Sequence, residues 1–309
     1  MSGPVVCIGA SFVDELFHTT GEILPATTNI ANVSKTAGGV GRNIAHQLAL
    51  LDIPVQLISV FGNDSDGDWV KEICTASGVR LDASLTLPGF SGKYTGILNA
   101  DGSLFTAFLT NPADHLITPK HLELNKDLLR TASWLLADTN ITIEAIEWLL
   151  AFSNKTNIPF IIEPVSVLPA RKLKGVDLNG LYLITPNEDE LPALCSEKAV
   201  TTDQQVEELL GRGVQFIWLH HGEQGSALYS KEKTVTLAAA SADVLDSTGA
   251  GDASVSGFVL GKYLGMDDLN CLKLAHTLSA EVLKVNGAVS KYLSQRKLLS
   301  LVSKYYPIK

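Results

Sequence analysis

Trp134-Leu135-Leu136-Ala137-Asp138-Thr139-Asn140 is followed by Ala145, Leu149 and Phe152 at helical spacing, and then by Phe160-Ile161-Ile162. The outer segments are apolar at consecutive positions, a pattern that suits strands covered on both faces. The stretch between them sets apolar residues three and four apart, as one buried face of a helix requires. Strand, helix and strand in this order predict a parallel pair joined by a right-handed crossover. Working outward, the same rhythm recurs, with strand-like runs at Val5–Ile8, Val55–Val60, Leu181–Ile184 and Phe216–Leu219 and a helical face at Ile44, Leu48 and Leu51. The expected fold class is α/β, a doubly wound and mostly parallel sheet flanked by helices. Candidate helices at 250–265, 268–285 and 294–304 make the C-terminal third mostly helical.

Lys93–Leu109 breaks the alternation. Two strand-like runs, Tyr94–Leu98 and Leu104–Leu109, flank Asn99-Ala100-Asp101-Gly102-Ser103, which is a hairpin signal. A hairpin inserted in an α/β chain is either decoration or a small lid, and Pro88-Gly89-Phe90-Ser91-Gly92 before it supplies a hinge. The chain has no internal repeat and no low-complexity linker. Its 309 residues are therefore assigned to one domain, 1–309.

Acidic side chains number 33 against 24 basic ones, a formal net charge of −9 that argues against a nucleic acid polymer as partner. Hydrophobic residues at 46% and charged residues at 18% supply a large core and exclude disorder. Cys7, Cys74, Cys195 and Cys271 lie far apart, with no metal-ligand spacing, and are expected as reduced, buried thiols. His46, His115, His121 and His276 lack metal-like spacing as well. No basic region precedes an apolar stretch at the N-terminus, so no signal peptide is expected. Apolar runs such as Trp148–Phe152 fall far short of the ~20 residues that cross a bilayer. A cytoplasmic protein without a membrane partner is the expectation.

Two glycine-rich turns stand out. Asp246-Ser247-Thr248-Gly249-Ala250-Gly251-Asp252 precedes a helix-like stretch. Small residues at a helix start leave backbone N–H groups uncovered, and the helix dipole favours an anion there. An acid in that turn is poorly placed to bind phosphate, so Asp252 suits a base that takes a proton from an attacking hydroxyl. The alternative is a tight strand-to-helix turn with Asp252 as a helix cap. Gly38-Gly39-Val40-Gly41-Arg42-Asn43 introduces a second helix, Ile44–Leu51, with Asn43 offering both a donor and an acceptor to a polyol. Its spacing is a poor fit to a dinucleotide fingerprint, and no acid stands about 20 residues on at a strand end.

Together, in this order, the segments at 38–43 and 246–252 resemble the GGxGxN and D-[ST]-T-G-A-G-D segments of the ribokinase family, the PfkB-type carbohydrate and nucleoside kinases. The resemblance covers nearly the whole chain and implies ATP-dependent phosphorylation of a hydroxyl, with ATP and Mg²⁺ as cofactors. Asp252 matches the catalytic base, and Gly249, Ala250 and Gly251 match the anion hole. Asp14, Gly39 and Asn43 match the substrate-contacting positions. Asn187 and Glu190 match an NxxE motif associated with Mg²⁺ and phosphates. Gly222 and Gly225 match a nucleotide-side GxxG turn, and Asp246 and Thr248 match positions that help hold K⁺ in some members. With the resemblance the hairpin is read as a small β lid, drawn from about 14–35 and 88–110, and a homodimer through that lid becomes plausible.

Phe12 stands where the family commonly has Asn, which implies an apolar or stacking contact and argues against plain ribose. His220 stands where many members have Thr or Ser, and either faces the nucleotide or is a satisfied structural histidine. Arg42 is a candidate cation for a phosphorylated substrate, yet no second cation clusters with it in sequence, which favours an unphosphorylated one. Lys93 and Arg171 are distant cations that folding could bring near. The strings Gly38–Ala45, Ala137-Asp138-Thr139-Asn140-Ile141 and Glu163-Pro164-Val165-Ser166 are most similar to pseudouridine kinases within the family, with Asn140 as a base-recognition residue or, alternatively, a helix cap. Glu163 stands where Asp is usual. A sugar kinase of the same family is the second reading, and a non-catalytic nucleoside or sugar sensor, against which Asp252 counts, is the third.

Overall fold

The computed structural model describes residues 3–110 and 113–307. Its larger sheet has eight strands in the order Thr234–Leu237, Ser226–Tyr229, Phe216–His220, Leu183–Ile184, Phe160–Glu163, Trp134–Asp138, Val5–Ile8 and Val55–Ile58. From Phe216–His220 to Val55–Ile58 every pairing is parallel, and the last two strands at the other edge are antiparallel. Val5–Ile8 explains why the runs are continuously apolar. Val5 and Cys7 face a core containing Ile44, Phe258 and Leu274, whereas Val6 and Ile8 face a second core with Ala145 and Leu149. Helices Val40–Leu50, Ala250–Tyr263 and Asp268–Val282 cover the first face, and Ile143–Thr156 covers the second. All four cysteines are buried and free.

The chain leaves Val5–Ile8 toward Val55–Ile58 on one side and returns on the other as Trp134–Asp138. The strand order therefore reverses beside Ile8 and Ala137, which are register partners. In open α/β sheets, ligands bind outside the carboxyl ends of the strands at such a reversal.

A smaller sheet stands above that edge, in the order Ala31–Gly38, Phe12–Thr19, Lys93–Leu98 and Leu104–Thr110. The expected hairpin forms at its outer side, closed by Asn99 N–H to Ser103 O at 2.8 Å. Ser91, in the glycine-rich segment before it, is tied to the main body: its N–H and hydroxyl donate to Asp64 at 2.9 and 2.6 Å. Lys93 adds ion pairs to Glu15 at 2.9 Å and to Asp66 at 3.2 Å, and Asp66 also holds Lys35.

Three segments differ from the sequence reading. The run Val55–Val60 splits at Ser59, whose buried backbone turns to Ser84 and Leu85, and Val60–Gly62 pairs with Leu85–Leu87. Leu181 lies in a turn, so that strand shrinks to Leu183–Ile184. The first helix starts at Val40 rather than Ile44, with Gly39 as its N-cap at φ 94°. Among the described residues no helix is long and apolar enough to cross a membrane.

Candidate active site

A cleft of about 1070 Å³ lies along the carboxyl edge of the larger sheet, between it and the smaller one. Helix Val40–Leu50 delivers Asn43 to its floor. Arg42, the preceding residue, is buried and turns inward. Its Nε donates to Gly38 O at 3.1 Å, and its Nη2 donates to Ala37 O and to Oδ1 of Asn43. With Oδ1 of Asn43 engaged as an acceptor, Nδ2 is the atom left to point into the cleft, and it donates to Oδ2 of Asp252 at 2.7 Å. Arg42 thus orients an amide and does not line the cleft.

Asp252 lies in the first turn of helix Ala250–Tyr263. The N-cap is Gly249, at φ 76°, and no side chain caps the helix, so the capping role for Asp252 does not hold. A Cβ at Gly249 would meet the backbone of Ala288 at 2.5 Å, which leaves glycine as the residue that fits. Thr248, Gly249, Ala250, Gly251 and Asp252 all face the cleft. Asp246 shapes this loop from behind, its carboxylate accepting from Thr248 N–H at 2.9 Å and Gly287 N–H at 2.8 Å.

On the other wall, Asn187 and Glu190 form a reciprocal turn. Oδ1 of Asn187 accepts from the N–H groups of Asp189 and Glu190, and Oε2 of Glu190 accepts from Asn187 N–H at 3.0 Å. Asn187 therefore sets the direction of the buried Glu190 carboxyl. His220, bridged to Asn187 through the backbone, lays its ring 4.3 Å from that of Trp218. Its Nε2 is buried and has no hydrogen-bond partner among the described residues, so it is not a satisfied structural histidine. Gly222, Gly225 and His276 continue this wall.

Asn140 also reaches the cleft and is not a helix cap; Thr142 takes that place, accepting from Ala145 N–H at 3.2 Å. Asp14, Phe12 and Tyr94 bring the smaller sheet to the site.

The electrostatics are set by buried acids. Burial pushes Asp252 up to about 7, against the Asn43 hydrogen bond and the Arg42 charge. Burial likewise raises Asp14 to about 6, with Arg42 opposing. Glu163 is held well above the usual carboxylate range by burial and by the charges of Asp252 and Glu190. Burial depresses His220 to about 3 and keeps it neutral. No Lys or Arg lines the cleft among the described residues. An anion in this cleft has to be met by backbone N–H groups and a cation.

The pfkB family carbohydrate kinase model matches residues 4–295. The chain belongs to this family. The kinase, a phosphotransferase with an alcohol group as acceptor, is 33% identical to the uncharacterized sugar kinase YeiI of Escherichia coli over 86% of its own length and 74% of that protein's. It is 29% identical to the pseudouridine kinase of E. coli over 96% of both chains. The structure of Arabidopsis thaliana ribokinase complexed with ribose and ATP superposes with a TM-score of 0.85 at 24% identity, covering 98% of the kinase and 99% of that chain, and shares its fold.

The kinase brings the residues matched to the family's site to one cleft except Asp246, which supports the loop from outside, and the candidate cations Arg42, Lys93 and Arg171 do not line it. Sequence reading missed Asp138, wholly buried at the end of its strand, and passed over the cleft position of His276. An acid closing an otherwise apolar run was the available signal for Asp138. His276 carried none, because its place depends on contacts with Ser226 and Tyr306 far along the chain.

Proposed function

We propose that the kinase transfers the γ-phosphate of ATP to the primary, 5′-type hydroxyl of an unphosphorylated nucleoside, with pseudouridine as the first choice of acceptor. The observation that carries this reading is Asp252, buried beneath an uncapped helix start and bonded to Asn43 on the acceptor side. Near neutral pH a carboxyl raised to about 7 is shared between its forms, so it can take a proton from a hydroxyl it touches. In the step, the hydroxyl oxygen forms a bond to the γ-phosphorus, the bond from that phosphorus to the β-bridging oxygen breaks, and ADP leaves while Asp252 keeps the proton. Backbone N–H groups of Gly249, Ala250 and Gly251 stabilise the charge on the transferred group. Asp14, Gly39 and Asn43 hold acceptor hydroxyls, Asn140 reads the base and Phe12 packs on it.

Glu190, with Asn187 orienting it, suits a hard cation that keeps most of its waters, and the like charges crowded round Glu163 favour one there. Mg²⁺ so held would neutralise phosphate charge. Gly222, Gly225 and neutral His220 form the nucleotide wall. Stimulation by K⁺ over Na⁺ tests whether the loop at Asp246 and Thr248 also orders round a monovalent ion.

The smaller sheet acts as a lid of the single domain 1–309, drawn from about 14–35 and 88–110, and excludes water from the phosphoryl group. Its exposed Val33, Phe105 and Phe108 suit a homodimer. Buried free cysteines suit the cytoplasm.

A cleft lined by no Lys or Arg among the described residues favours a neutral acceptor over a sugar phosphate. Ribose or fructose is the second reading of the acceptor. ADP formation with pseudouridine, uridine, adenosine, ribose and fructose tests the proposal, with pseudouridine expected to give the highest kcat/KM; ribose or fructose far above it would replace it. A non-catalytic sensor would form no ADP with any of them.

A further inference from the structure

Asp138 ends the Trp134–Asp138 strand at the reversal of strand order, is wholly buried, and does not reach the cleft. Its carboxylate gathers three backbone N–H groups, two from distant segments and one from its own. Oδ2 accepts from Ala10 at 3.0 Å and from Gly41 at 2.8 Å, while Oδ1 accepts from Asn140 at 2.9 Å. The packing leaves no slack. A Cβ at Gly9 would sit 2.2 Å from Oδ2, and one at Gly41 would sit 3.2 Å from it. Burial lifts the carboxyl to about 6, with the three N–H groups and a hydrogen bond from the Asn140 side chain opposing.

Each of these segments carries one wall of the acceptor site. Ala10 begins the passage to Phe12 and Asp14, Gly41 lies between Gly39 and Asn43, and Asn140 faces the cleft directly. Further contacts join the same segments, since Arg42 N–H donates to Ala10 O at 3.4 Å. Among the described residues the phosphate side, at 249–252, has no hydrogen bond to Asp138, whose charge reaches Asp252 only through space and raises its pKa. A buried anion with several hydrogen bonds holds its partners firmly, because releasing any one leaves buried charge or a buried donor unsatisfied.

We propose that Asp138 is a positioning residue for acceptor binding: it clamps the three segments that form the acceptor pocket into one geometry and makes no hydrogen bond to the ATP side. The assignment of the acceptor pocket rests on the function proposed above, whereas the clamp itself does not.

Asp138→Asn keeps the volume but offers one acceptor oxygen and an NH₂ to three N–H groups, so at least one donor loses its partner. The expected result is a rise in acceptor KM of roughly 10–100-fold, with KM for ATP within about twofold of the parent. Hydrogen exchange should quicken at the amides of Ala10, Gly41 and Asn140 and stay unchanged at 250–253. Gly41→Ala is the second variant, because it presses on the carboxylate without removing it; a smaller rise in acceptor KM, again without one for ATP, is expected. Equal rises in both KM values, or a fall in kcat alone with exchange unaltered at the three amides, would overturn the clamp. If the parent chain phosphorylates no acceptor, the proposed function fails, and the exchange pattern still decides whether Asp138 holds these segments.

Discussion

Asn43 donates from Nδ2 to Oδ2 of Asp252 across 2.7 Å, joining two helices whose partners lie 209 positions apart in sequence. The orientation of the amide is set by Arg42, which donates to its Oδ1. This bond favours the ionised form of Asp252 and partly offsets the burial that raises its pKa to about 7. Replacing Asn43 with Ala removes the donor and moves the pKa further up. The acid limb of kcat/KM for the acceptor against pH, expected near 7 in the parent, should therefore shift upward in Asn43→Ala. A pH profile at saturating ATP checks this, and a limb unmoved or shifted downward contradicts it.

Asp252 also bears on stability. A carboxyl whose folded pKa lies above its unfolded value stabilises the fold fully below about pH 4 and loses that contribution as pH rises through about 7. Asp252→Asn removes the charge that burial penalises, while its carboxamide oxygen can still accept from Asn43. The variant should melt roughly 2–6 °C above the parent at slightly alkaline pH, with the difference vanishing near pH 4. Thermal scans at the two pH values measure it.

Two neighbouring glycines should separate folding from phosphate binding. Gly249→Ala forces a side chain onto a left-handed backbone and against Ala288, so loss of stability and of turnover is expected together. A Cβ at Gly251 meets nothing within 4 Å. Gly251→Ala should keep the parent's melting temperature and lose roughly 10²-fold in kcat/KM for ATP, because the methyl group enters the space above the helix start. Calorimetry and steady-state kinetics on both variants decide this.

The smaller sheet is latched by charge. Asp66, on the main body, holds both Lys93 and Lys35 of that sheet. Asp66→Asn should raise acceptor KM about 3–10-fold, and added salt should raise it in the parent but less in the variant. KM measured across a salt series is the check.

The alternation of strand and helix was legible because a sheet buried on both faces needs consecutive apolar residues, as at Val5–Ile8 and Phe160–Ile162. Asp252 and its glycine turn were legible because an uncapped helix start needs small residues. The segment 14–35 was placed in the lid, but the bounds of its strands, Phe12–Thr19 and Ala31–Gly38, were not legible, since their residues are largely half-buried or exposed and carry little apolar pattern. Arg42 reads in sequence as a cation for phosphate; its inward turn depends on carbonyls of Ala37 and Gly38 that only the folded sheet presents. Asp138 looks like one more strand-end acid until Ala10 and Gly41 are brought to it.

In the proposed function Asp252 takes the proton of an acceptor hydroxyl during ATP-dependent phosphorylation. Its most direct test is ADP formation by the parent and by Asp252→Asn, with and without saturating pseudouridine. ADP formation should depend on the acceptor in the parent and fall roughly 10²–10⁴-fold in the variant, while the variant stays folded. Turnover left intact in Asp252→Asn, or a parent that no nucleoside or sugar stimulates, would contradict it.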